Sequence, residues 1–210
     1  MIRLCQYEKY ASVKDMQNDT ISRDTYHHGN LPKTLVKEGA KLLAEKGVNG
    51  FSMREVARRA GVAVAAPSHH FGNSKGLLTA IAAKGFNTLA KRMELAATKA
   101  HGSEDQVVAM CQAYRAMVAN DPGYAAVMFR LDLVEESDQR FQEQASCAFG
   151  LFAEALRTAV PDSVDSKQVN YAAKMLWATM QGLIDLDVID GQEAEELIHF
   201  SVRTVLTGLR

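Results

Sequence analysis

The stretch Phe51–Phe71, FSMREVARRAGVAVAAPSHHF, decides the fold of this chain. Met53, Val56, Ala57 and Ala60 recur at helical spacing, which predicts one inward stripe with Arg54, Arg58 and Arg59 left in water. Ser52 followed by Glu55 matches a capping box, in which the hydroxyl takes the Glu55 N–H and the carboxylate reaches back. Gly61 stands where this helix must stop, because glycine takes the left-handed conformation at no steric cost. Small Ala57 lets a second helix approach closely. A turn this short joins two helices at a steep angle, the layout of a helix-turn-helix.

Working outward, Asn30 predicts the cap of a preceding helix, with Pro32 in its first turn, where a missing N–H costs little. Leu31, Leu35, Leu42 and Leu43 form its inward side, and Gly47 ends it. Downstream, a long helix is predicted from Ser74 to Ala100, with Leu77, Leu78, Ile81, Phe86, Leu89 and Met93 inward. Five further segments read as helical: Glu104–Asn120, Tyr124–Leu131, Ser137–Val160, Asp165–Ile189 and Gln192–Leu209. Strand alternation with hairpin turns does not occur. The expected class is all-α with about nine helices, a three-helix head joined to a helical bundle.

The region from Tyr26 to about Phe86 resembles the N-terminal domain of the TetR family of bacterial transcription repressors. The residues that carry this are His27-Gly29-Asn30-Leu31 at the first helix, the turn glycine, His70-Phe71, and Gly76-Leu77-Leu78. Leu176-Trp177 with Gly182 resembles a C-terminal domain named for a Trp-x3-His-Gly signature, with Gln181 at the His position here. The resemblance implies a dimeric repressor released from DNA by a small molecule. Family members usually carry a phosphate-holding tyrosine where Ser68 stands and a lysine where Ser74 stands. Lys75, one residue on, is the substitute candidate, helped by the dipole of the long helix. His27 and His28 are further candidates for phosphate.

Charge is divided unevenly along the chain. Residues 1–92 carry 15 Lys/Arg against 7 Asp/Glu, whereas residues 93–210 carry 9 against 18. A head of +8 on a body of −9 suits phosphate binding by a soluble protein. Residues 1–25 lack a sustained period and read as a flexible arm, leaving 26–86 as the DNA-binding domain and 87–210 as the ligand-binding and dimerisation domain. The first twenty residues lack the apolar core of a secretory signal, and no apolar run is long enough to span a membrane. Cys5, Cys111 and Cys147 are scattered, as expected of idle thiols in a reducing cytoplasm.

In a helix-turn-helix the second helix enters the major groove by its N-terminal residues. Ala63-Val64-Ala65-Ala66-Pro67-Ser68-His69-His70 is predicted to be that helix, with Ala66 and Phe71 as core and Val64, Ala65, Ser68 and His69 outward. No Arg or Asn is present for a bidentate base contact, so readout must use thymine methyl groups, Ser68 or His69 hydrogen bonds, and DNA shape. The DNA-facing set is Ser52, Arg54, Ala63, Val64, Ala65, Ser68, His69, His70 and Lys75, with His70 also expected to pack at the junction between head and body. Adjacent histidines point about a hundred degrees apart on a helix, which disfavours a metal at His69-His70 or His27-His28.

Met110, Met117, Met128, Phe149, Phe152 and Trp177 are expected to line an effector pocket, with Phe129 and Met180 nearby and Gln181 as its polar residue. Val169, Leu176, Leu183, Leu197, Ile198, Val202, Val205 and Leu206 on the last two helices predict a two-fold, four-helix dimer interface. Partners are therefore operator duplex DNA, a second copy and a small effector, with no cofactor and no membrane. An enzyme is disfavoured, since no Ser/His/Asp set, phosphate-binding glycine loop or paired Glu-x-x-His motif occurs. The alternatives are a helical adaptor and a DNA binder without a ligand response.

Overall fold

A computed structural model describes residues 31–185 and 191–209. Among these residues there are nine α-helices and no strand. The first four are α1 (Leu31–Lys46), α2 (Met53–Ala60), α3 (Ala66–Phe71) and α4 (Ser74–Ala97). The body adds α5 (Ser103–Asn120), α6 (Pro122–Met128), α7 (Gln139–Thr158), α8 (Ser166–Asp185) and α9 (Gly191–Gly208). The expected arm, Tyr26, His27, His28, the Asn30 cap, Cys5 and the last turn of the Asp165–Ile189 helix lie outside the described residues.

Local signals account for most helix ends. Gly47 and Gly61 both take positive φ, 63° and 68°, after α1 and α2. At α2 the Val62 N–H donates to the Ala57 carbonyl at 3.1 Å and the Gly61 N–H to Arg58 at 3.2 Å, the two bonds of a Schellman stop. Asn73 caps α4 through its side-chain oxygen, which accepts from the Gly76 N–H at 3.0 Å. Asp138 caps α7 in the same way from the Phe141 N–H at 2.8 Å.

The long α4 is the axis of the molecule. Its inward residues Leu77, Ile81, Leu89 and Met93 are fully buried, and it packs most extensively against α5 and α7. It is not the sole link between head and body. Helix α6 lies directly on α1, so closely that a Cβ on Gly123 would stand 1.8 Å from the Ala40 carbonyl oxygen. Only glycine permits that approach. On the α4 side, a Cβ on Gly85 would meet the Met128 sulfur at 2.6 Å. Asp121-Pro122-Gly123, which follows the last residue of α5, therefore also seats α6 against α1.

The dimer expectation needs correction at the residue level. Val169, Leu176, Ile198, Val202, Val205 and Leu206 are buried in the protomer's own core, and Leu183 and Leu197 are half-buried. Their stripe closes the bundle around α5 and α7 and leaves little for a partner. The outward apolar side chains of α8 and α9 are Tyr171, Met175 and Phe200, at 57%, 55% and 68% exposure.

Candidate DNA-binding interface

Helix α2 is fastened to α1 by charge. The Arg59 guanidinium donates to both oxygens of Glu45, at 2.9 and 2.6 Å, and to Glu55 at 3.1 Å. Arg58 makes two bonds to the Glu55 carboxylate, each 2.8 Å. Donation from Arg58, then from Arg59, holds the Glu55 carboxyl down at about 2. The expected capping box is absent, because Ser52 makes no side-chain cap bond and Glu55 is engaged by two cations three and four residues on. A charge-assisted bond to a guanidinium outcompetes a neutral backbone N–H. Arg59, expected in water, is half-buried for the same reason.

This pairing sorts the cations of the head. Arg54 at the start of α2 and Lys75 at the start of α4 are exposed, and among the described residues neither forms an ion pair. They flank α3, one on each neighbouring helix. Arg58 and Arg59, by contrast, are committed to the carboxylates that hold α2.

Helix α3 is shorter than expected. It begins at Ala66, and Ala63–Ala65 instead form a turn closed by the Ala66 N–H on the Ala63 carbonyl at 2.9 Å. Pro67 occupies the first turn and takes the buried place, while Ala66 and Phe71, expected as core, are half-buried. Val64 is 60% exposed, and Ser52, Ala63, Ala65, Ser68 and His69 are exposed with it. His70 is exposed as well, not packed at the junction, and its ring meets His69 edge-on at 5.4 Å. The exposed surface around α3 is therefore methyl groups, two hydroxyls and two imidazoles. Among the described residues no group of three His, Cys, Asp or Glu could hold a metal ion.

In the body, Met110, Met117, Met128, Phe152 and Met180 are buried, and Phe129, Phe149, Trp177 and Gln181 are half-buried. Trp177 stacks on Tyr114 at 5.4 Å and takes Phe149 and Phe152 edge-on at 5.7 and 5.6 Å. The Tyr114 hydroxyl donates to the Gln181 side-chain oxygen, and the Gln181 amide donates to Asp185 at 2.7 Å. Burial, then the nearby Asp185 charge, raises the Tyr114 pKa well above its usual value. Gln181 thus does bring polarity to an aromatic cluster. Sequence reasoning misses Tyr114, although it sits four residues after Met110 and three before Met117, on the inward stripe of α5. Among the described residues no helix is long and apolar enough to cross a membrane.

Residues 35–81 match the family model described as bacterial regulatory proteins, tetR family, and residues 107–205 match tetracyclin repressor-like, C-terminal domain. The Trp-x3-His-Gly subgroup rests on Leu176-Trp177 and Gly182 alone. A search of curated proteins finds no match. Among solved structures, a protein of unknown function from Rhodococcus sp. RHA1 is 27% identical with a TM-score of 0.73, covering 89% of this chain and 98% of that one. The TetR family transcriptional regulator PfmR from Thermus thermophilus is 22% identical, TM-score 0.61, with 84% and 98% covered. The regulator FadR from Bacillus subtilis, solved with stearoyl-CoA, is 16% identical, TM-score 0.65, with 85% and 99% covered.

Proposed function

The chain belongs to the TetR family of DNA-binding transcription regulators, whose members are not enzymes, and from that premise we propose a homodimeric repressor that a small molecule releases from its operator. The observation that carries the reading is the exposed α3 between two exposed cations, Arg54 and Lys75, that form no ion pair among the described residues. Residues 26–86 form the head and 87–210 the body. Arg54, Lys75 and Ser52 hold the backbone, while Val64, Ala65, Ser68 and His69 meet base edges, with Ala63 and His70 at the margins of the contact. Methyl groups favour thymine, and the rest of the preference comes from duplex shape.

The second copy docks on the outer faces of α8 and α9, where Tyr171, Met175 and Phe200 supply the apolar surface. Two heads then reach half-sites about 34–36 Å apart, one helical turn, or a multiple of it. The effector enters the cluster of Met110, Met117, Met128, Phe149, Phe152 and Trp177, with Gln181 as its polar contact. Such a lining suits an apolar or aromatic compound with one polar group. Work in the cytoplasm fits this role.

Selection of bound duplex from a random pool, with and without cell extract, tests the whole reading. Recovery of a near-palindrome, lost when extract is added, is the expected result. Affinity for it should fall with salt by about 0.9 log units per log unit of salt for each phosphate neutralised. Arg54→Glu should weaken binding to every duplex, whereas Ser68→Ala or His69→Ala should change which duplex is preferred. Equal effects of all three on every duplex would contradict the division between holding and reading.

A further inference from the structure

Apart from the Tyr114 hydroxyl, Thr79 is the one buried polar side chain among the described residues, 3% exposed on the second turn of α4. Its hydroxyl donates to the Lys75 carbonyl at 2.8 Å, an ordinary back-bond within a helix. The same oxygen accepts the Glu135 backbone N–H at 2.8 Å, from the connection between α6 and α7. That second bond joins residues 56 positions apart.

Toward the DNA end, the bonded turn is welded to the reading helix. A Cβ on Gly76 would stand 2.1 Å from the Phe71 carbonyl oxygen, so the start of α4 sits directly against the end of α3. Toward the body, the connection is anchored in the core. Phe129 opens it with its ring against Phe86 at 5.3 Å and Tyr114 at 6.0 Å, and Val134, next to Glu135, is fully buried. A continuous run of packing and hydrogen bonds thus leads from Tyr114 through Phe129, Glu135 and Thr79 to α3.

We infer that Thr79 is a positioning residue for DNA recognition: its hydroxyl fixes the angle of α3 to the body by clamping the α6–α7 connection onto the start of α4. The inference rests on the DNA-reading role of α3. A clamp that sets an angle controls where the two heads of a dimer land, so its loss relaxes the required spacing between half-sites.

The test compares the full-length wild type with Thr79→Val, which keeps the shape and removes the hydroxyl, and Thr79→Ser, which keeps the hydroxyl. Each is measured on the duplex the wild type selects from a random pool and on that duplex lengthened by one base pair between half-sites. Thr79→Val should bind the selected duplex about 5- to 20-fold more weakly, the lower part of the usual range for coupled sites, and should discriminate less against the longer one. Thr79→Ser should restore both. Glu135→Pro removes the N–H from the other side, at an exposed residue, and should reproduce the lost discrimination. A hydroxyl that merely stabilises the fold would lower the melting temperature and leave the ratio between the two duplexes unchanged, and that result overturns the inference. Failure of Thr79→Ser to restore the ratio does so too. If the wild type selects no duplex, the DNA-reading premise falls first and the inference with it.

Discussion

Replacing Gly123 by alanine tests how α6 is seated on the head. The added carbon would lie 1.8 Å from the Ala40 carbonyl oxygen and 2.7 Å from its carbon, where ordinary contact begins at 3.4 Å. Relief needs α6 and α1 to part by about 1.6 Å, the difference between 3.4 and 1.8. Neither obstacle is the end of a flexible side chain, because both atoms belong to the α1 backbone. Overpacking of this kind costs about 1–3 kcal/mol. Helix propensity pulls the other way, since alanine is favoured over glycine by up to about 1 kcal/mol inside a helix. A chain of this size loses roughly 2–4 °C per kcal/mol, so overpacking alone lowers melting by some 2–12 °C, propensity returns at most about 4 °C of that, and Gly123→Ala should melt below the wild type. Thermal unfolding followed by helical circular dichroism and by calorimetry is the assay. If the variant melts at or above the wild-type temperature, propensity has won, and the close seating of α6 on α1 is not a constraint on the fold.

Gly150 provides the opposite case: it lies within α7, and a Cβ there meets nothing within 4 Å, so Gly150→Ala should stabilise by about 1 kcal/mol in a chemical denaturation curve. Glu55 titrates near 2 in the fold against an ordinary value of 4.5, so its contribution is complete above 4.5 and disappears as the pH falls toward 2. Melting temperature should therefore drop less steeply across that window in Glu55→Gln than in the wild type, and parallel profiles would dismiss the pairing. Burial raises the Cys111 thiol to about 12, so alkylation at pH 9 should spare Cys111 until the protein is unfolded, as peptide mapping would show.

Features set by neighbours in the chain were the legible ones. The α2 stop, the start of α4 at Ser74 and the outward Val64, Ala65, Ser68 and His69 all follow from spacing within one or two turns. Ser52 and Glu55 show where local reading fails, because the capping box and the Arg58 and Arg59 bonds compete for one carboxylate and both were visible in the sequence. The Gly123–Ala40 contact could not be foreseen, since Asp-Pro-Gly looks the same whether its glycine is free or pressed on another helix. Periodicity placed an apolar stripe on α8 and α9 without saying which partner would cover it. Their own bundle covers the inner stripe, and Tyr171, Met175 and Phe200 remain for anything outside. Thr79 interrupts the apolar side of α4 at a register with Phe86, two turns on, a signal that only its Glu135 partner explains.

The position of Trp177 has an optical consequence. It is the only tryptophan in the chain, so light absorbed at the red edge of the protein spectrum is emitted from one place. That place is the face shared by Tyr114, Phe149 and Phe152, one turn of α8 before Gln181. Colour and lifetime of the emission depend on how wet and how tightly held the indole is. A compound that pushes between these rings therefore changes the signal of the unlabelled protein, and one that binds elsewhere without disturbing them leaves it unchanged. The molecule carries its own fluorescent gauge at the spot proposed above for an effector.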